Sequence, residues 1–140
     1  MKYLTPLLLL LFLPTVLADG QAEYKYREGV MEAIGGQMAS VGAIMRGQVH
    51  KENLLIHARS IAELARIVPD IFPEDSAVRQ SEALPAVWEN PEEFKQKTED
   101  FIAASDEFAS AVESGEGVGQ ALQKLGGSCK GCHDEFREEH

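Results

Sequence analysis

Cys129-Lys130-Gly131-Cys132-His133, near the end of a 140-residue chain, restricts the available folds more than any other stretch. A C-x-x-C-H run is the sequence form of a covalent haem attachment site. The two thiols add to the vinyl groups of the macrocycle as thioethers, and the imidazole binds the iron. A helix suits that chemistry. At about 100° per residue, Cys132 lies ~60° around from Cys129 and His133 ~40° to the other side. At a rise of ~1.5 Å per residue the three span only ~6 Å along the axis. All three then project from one face, as a single flat ring requires.

Three other readings compete for the same residues. Cys129 and Cys132 can form a structural disulfide. A thioredoxin-like redox pair wants a preceding strand in a βαβ setting, and no convincing strand is found in this sequence. A zinc site needs further ligands, and no other cysteine remains. The histidine directly after the second cysteine, together with an export signal, favours haem.

That signal is the first eighteen residues. Met1-Lys2 is a short basic start, Leu7 to Leu13 is an apolar run broken by Pro14, and Val16-Leu17-Ala18 is an A-x-A-like cleavage site. The segment is too short to span a bilayer. Cleavage after Ala18 leaves residues 19–140, one domain of 122 residues, with no second apolar segment long enough to cross a membrane. An exported, soluble protein with a haem-attachment motif is expected in the periplasm, an oxidising compartment.

The full chain carries a formal charge of −10, and without the leader and its Lys2 it carries −11. Such an acidic surface argues against nucleic acid and anionic membranes. It fits either a partner with a basic docking surface, steered by long-range attraction, or simple solubility.

Four helical stretches follow the leader. The first runs from about Ala22 to Arg46, with Val30, Ile34, Val41, Ile44 and Met45 on its apolar face. Gly29, Gly35, Gly36 and Gly42 cost about 1 kcal/mol each there, which the close approach of a neighbouring helix or a flat ring would offset. The second runs from about Lys51 to Val68, ended by Pro69. A long connection to about residue 90 has Phe72, Leu84 and Trp88 as apolar anchors, closing one end of the core. The third helix opens with Asn90 as N-cap, Pro91 in the first turn and Glu93 completing a capping box. Phe94, Phe101, Phe108 and Val112 repeat along it, with Thr98 and Ser105 between, and Ser114-Gly115 ends it. The fourth, from about Val118 to Arg137, has Val118, Leu122, Leu125, Cys129, Cys132 and Phe136 on one stripe, so the haem should enter the interior. This alternation of helices with short, long and short links predicts an all-α, antiparallel up-down four-helix bundle.

Four segments carry a resemblance to a known family. They are Tyr26-Arg27-Glu28-Gly29-Val30-Met31; Gly42-Ala43-Ile44-Met45-Arg46-Gly47; Pro69-Asp70-Ile71-Phe72-Pro73 with Ala86-Val87-Trp88; and Cys129 to Arg137, reading C-K-G-C-H-D-E-F-R. The chain resembles the cytochrome c′ family, the class II c-type cytochromes, over nearly all of its length beyond the leader. The resemblance implies a haem c attached to Cys129 and Cys132, with His133 as the proximal iron ligand. It places Arg137 one turn later near the proximal side and Arg27 near a haem propionate. It also brings Glu28 toward the haem edge.

Met31 decides what the iron does. In the resemblance it faces the distal side, which is open in typical members and closed by a methionine ligand in low-spin relatives. Met31, Met38 and Met45 recur every seven residues, which by pattern alone reads as core filling. The expected function is an electron carrier with His133 and Met31 as axial ligands, partnered by other redox proteins. The alternative is a five-coordinate protein that binds nitric oxide or carbon monoxide at an open distal site. An enzyme such as a peroxidase would want polar acid–base groups there. The first helix offers Val30, Met31 and Ile34, so no enzyme activity is expected. Many relatives pair as homodimers through the first two helices, and Ala39, Ala43 and the glycines would permit such packing. His50 is expected to be exposed and His57 to lie at the surface.

Overall fold

The computed structural model describes residues 20–139. The expected leader, its cleavage point and His140 lie outside the described residues. Four long helices and one short one form an all-α bundle, and among the described residues there is no strand. No helix among them is long and apolar enough to cross a membrane.

Helix α1, Gly20–Gly47, buries Arg27, Val30, Ile34, Val41 and Ile44, one face at helical spacing. Beyond it Gln48 and His50 turn the chain through positive φ angles of 54° and 48°. Helix α2, Leu54–Ala65, is shorter than its apolar pattern suggests. The pattern covers two tight flanking turns as well, Lys51–Asn53 and Val68–Asp70. Pro69 explains the early end. Its ring would collide with the carbonyl four residues back, that of Ala65, and it has no N–H to continue the ladder.

The long connection has structure of its own, a turn at Glu74–Ser76 and the one-turn helix α3, Ala86–Glu89. Helix α4, Pro91–Ser114, starts at its proline as expected, but without the capping box. Asn90 makes no side-chain cap bond. Glu93 instead lies near Lys97 and Glu135, where the opposite charge of Lys97 competes for its carboxylate. The aromatic repeat is buried as expected, with Phe94, Phe101 and Phe108 facing inward alongside Thr98 and Ser105. Gly115 and Gly117, both at positive φ, reverse the chain into helix α5, Val118–Phe136.

Close packing runs from α1 to α2, from α2 to α4 and from α4 to α5. Helices α1 and α5 are not among the closely packed pairs. The connection ties them together instead. Residues 71–81 are bonded to Arg27 on α1, and an antiparallel bridge joins Ala83 to Arg137 just past α5. In that bridge Leu84 N–H donates to the Phe136 carbonyl at 3.0 Å, and Glu138 N–H to that of Glu82 at 2.8 Å. The connection thus straps the open side of the bundle.

Candidate haem site

The gap between α1 and α5, floored by α4 and crossed by the strap, is a cavity of about 620 Å³. That volume lies within the range of cofactor pockets. Helix α5 contributes Cys129, Cys132 and His133 to its lining, together with Phe136. Helix α1 contributes an apolar stretch, Met31, Ile34, Gly35 and Met38, beside the polar Tyr24, Arg27, Glu28 and Glu32. A Cβ built on Gly35 or on Gly126, which also lines the cavity, would meet no neighbouring heavy atom within 4 Å. Both positions leave open space beside the backbone.

The donor set fits a haem better than it fits the competing chemistries. Burial pushes the Cys132 thiol up to about 11 and raises Cys129 above its ordinary value. A redox-active cysteine or a zinc ligand needs the opposite, a stabilised thiolate. A neutral sulfur in a thioether bond is the form this environment tolerates. His133 is lowered, first by burial and then by the charge of Arg137, so it stays a neutral imidazole, the form that binds a metal. Cys129 and Cys132 are not joined to each other. Among the described residues no group of three or more His, Cys, Asp and Glu could hold a metal ion by itself.

An aromatic cluster walls one side of the cavity. Phe94 stands edge-on to Phe72 at 4.8 Å between ring centroids and to Phe136 at 5.2 Å. Cys132 and Trp88 pack against the same cluster. The Trp88 indole N–H donates to the Phe72 carbonyl at 3.0 Å, which fixes the strap on α3.

All seven expected site residues line this one cavity, but one of them, Arg137, sits differently from expectation. Arg27 is buried, and its guanidinium donates to four strap oxygens. Arg137 does not continue the helix. It follows the end of α5 in extended backbone, held there by the bridge to Ala83, and reaches the cavity from that edge. Glu28 is exposed at the rim and accepts a hydrogen bond from the Tyr24 hydroxyl at 2.9 Å. The glycines also depart from expectation. Gly35 faces the cavity, but Gly29 and Gly36 are exposed with open space where a Cβ would sit, so none of the described helices packs against them. His50 is exposed as expected, whereas His57 is half-buried, its Nδ1 2.6 Å from Gln37 Oε1 on α1.

Sequence reasoning missed Tyr24, Ser81, Glu82 and Lys97 as lining residues. Lys97 pairs with Glu135 at 2.5 Å beside Cys132. It lies one turn after Phe94 on the buried side of α4, a signal the helical spacing contained. Ser81 and Glu82 come from the strap, for which no periodicity exists.

Known proteins share this arrangement. The profile of the family described as Cytochrome C′ matches residues 22–137. Cytochrome c′ from Rhodospirillum rubrum is 36% identical over 126 residues, covering 87% of this chain and 86% of that protein. Cytochrome c-556 from Agrobacterium tumefaciens (strain II Chrys) is 36% identical over 118 residues, 82% of this chain and 96% of its own length. Among solved structures, cytochrome c prime from Shewanella frigidimarina superposes with a TM-score of 0.82 at 25% identity, over 88% of this chain and 99% of that one. A variant of cytochrome c prime from Alcaligenes xylosoxidans with bound nitric oxide superposes with a TM-score of 0.80 at 20% identity, over 89% and 99%. The chain belongs to the cytochrome c′ family and carries a covalently bound haem c with its iron.

Proposed function

We propose that this chain is a periplasmic haem c protein that takes a neutral diatomic gas, nitric oxide or carbon monoxide, on the α1 side of the iron. Residues 1–18 act as the export leader and residues 19–140 as the bundle. Cys129 and Cys132 hold the haem as thioethers and His133 is the proximal ligand. The bound haem supplies an iron that exchanges one electron and accepts a small neutral ligand. The observation that carries the reading is the α1 wall. Met31, Ile34, Gly35 and Met38 present no charge and no hydrogen-bond donor, so an uncharged diatomic meets little desolvation cost beside them. These four residues also offer no acid–base group for peroxide chemistry. The nitric oxide bound to the similarly folded protein from Alcaligenes xylosoxidans supports the assignment.

One observation favours a second reading. Met31 places a soft thioether on the helix that faces α5 across the cavity. With Met31 as sixth ligand the protein is an electron carrier, its potential raised by His/Met ligation. Its acidic surface then suits a redox partner with a basic docking face, and the association slows with salt.

An optical spectrum of the purified holoprotein, oxidised and reduced, with and without carbon monoxide, separates the two. Gas binding predicts a reduced spectrum that shifts with carbon monoxide in the unmutated protein. Sharp reduced bands with no response to carbon monoxide, converted to a responsive high-spin form by Met31→Ala, would overturn it in favour of the carrier.

A further inference from the structure

A second cavity, of about 480 Å³, lies between the strap, α3 and the first turns of α4. It opens at the surface, where Pro69, Glu74, Pro91, Lys95 and Glu99 are exposed. Lys95 and Glu99 face each other across 3.9 Å at that rim. Inward of them the lining is apolar, with Val87 buried and Trp88 half-buried. Three residues, Phe72, Phe94 and Thr98, line this cavity and the haem cavity alike. The same side chains present one face to each space, so a single layer of side chains divides the two.

That partition is not equally firm along its length. Phe94 and Thr98 stand on α4 and are buried, at 8% and 2% exposure. The Thr98 hydroxyl donates to the Lys95 carbonyl at 2.8 Å. Phe72 instead stands on the strap, between two tight turns, and is half-buried. Its carbonyl is held by the Trp88 indole, but its ring has no polar group by which to be fixed. The ring meets Phe94 edge-on at 4.8 Å and has the Arg27 guanidinium over it at the same distance, which gives it a resting position. Side-chain rotation is far faster than movement of a backbone segment. Turning the Phe72 ring away from Phe94 therefore joins the two cavities while the bundle stays closed. Rings on both sides of the gap leave a passing ion or polar molecule without solvation, whereas a neutral diatomic loses little there.

We propose that the second cavity is an entry and exit path for a neutral diatomic gas and that the Phe72 ring is its gate. The inference rests on the gas-binding reading given above and adds the route by which the gas reaches the haem.

Flash photolysis of the carbon monoxide complex of the reduced holoprotein, with the dissociation rate measured by ligand replacement, tests it. A gate lies on the path in both directions, so Phe72→Ala should raise the association and dissociation rates by the same severalfold factor and leave the affinity unchanged. Phe72→Leu takes its place should that variant not fold. Glu99→Trp adds bulk at an exposed rim position and should lower both rates together. Glu92→Trp, on the same helix but lining neither cavity, should leave both where they are. Xenon binds apolar cavities without any bond to iron, and a crystal of the holoprotein under xenon pressure should show it in the second cavity. No carbon monoxide response in the unmutated protein would defeat the gas-binding reading itself. The route is then read from the xenon site and from the same rate comparisons made in a Met31→Ala background. Unchanged rates in both Phe72→Ala and Glu99→Trp would overturn the proposal. So would a Phe72→Ala variant whose affinity changes because only one rate moves, which would make Phe72 a wall of the ligand site and not a gate.

Discussion

Two phenylalanines on one helix should separate the structural part of the bundle from its haem-bearing part. Phe94 and Phe108 both lie on the inner face of α4, fourteen residues and therefore about 21 Å apart. Phe108 is fully buried in the main core and does not line the cavity. Phe94 lines it and holds two edge-on ring contacts. Truncating a buried phenylalanine to alanine costs about 3–5 kcal/mol. The two ring contacts of Phe94 add about 0.5–1.5 kcal/mol each beyond area, which its slightly greater exposure partly offsets. Phe108→Ala should thus lose about 4 kcal/mol and Phe94→Ala about 5 kcal/mol. With a guanidinium slope of about 4 kcal/mol per molar, the holoprotein's unfolding midpoint, read by far-ultraviolet circular dichroism, should fall by roughly 1 M in each. The haem spectrum should distinguish them, unchanged in Phe108→Ala and altered in Phe94→Ala, whose cavity wall beside Cys132 is gone. An altered spectrum in Phe108→Ala, or an unaltered one in Phe94→Ala, would refute the division.

Two backbone predictions accompany it. Gly115 closes α4 at a φ of 77° with its N–H on the Ala111 carbonyl, so Gly115→Ala should destabilise by about 1–2 kcal/mol, read as a lower melting temperature with an unchanged haem spectrum. Gly36 is exposed in mid-helix with open space at its Cβ position, so Gly36→Ala should stabilise by about 1 kcal/mol in a melting experiment at low protein concentration. A loss of stability that appears only at high protein concentration would mean that a second copy packs on α1, in line with the exposed Tyr26 and Ile56 on α1 and α2.

The bundle was legible because its signals are local. Phe94, Phe101 and Phe108 repeat at helical spacing, Pro91 and Gly115 bracket α4, and C-x-x-C-H sets the haem-bearing face of α5. Local rules failed where distant chain segments meet. Arg27 is bonded to residues 44, 49 and 54 positions away, all in a connection whose path no periodicity encodes. The capping box at Asn90 was lost to Lys97 and to Glu135 on another helix. The helical spacing around Arg137 extends α5 to it. Its extended backbone comes from the pairing of Ala83 beside it.

The buried thiols also impose an order of events on the chain's biosynthesis. Once α5 has docked, Cys132 holds its proton until about pH 11 and Cys129 is half-buried beside it. Neither then reacts readily at physiological pH. The thioether bonds therefore form more readily on a chain whose last helix is still undocked. In that interval the two sulfurs, three residues apart, can also close on each other under oxidising conditions. Early docking and early oxidation both work against attachment. A variant that folds faster without its haem should therefore yield less finished protein.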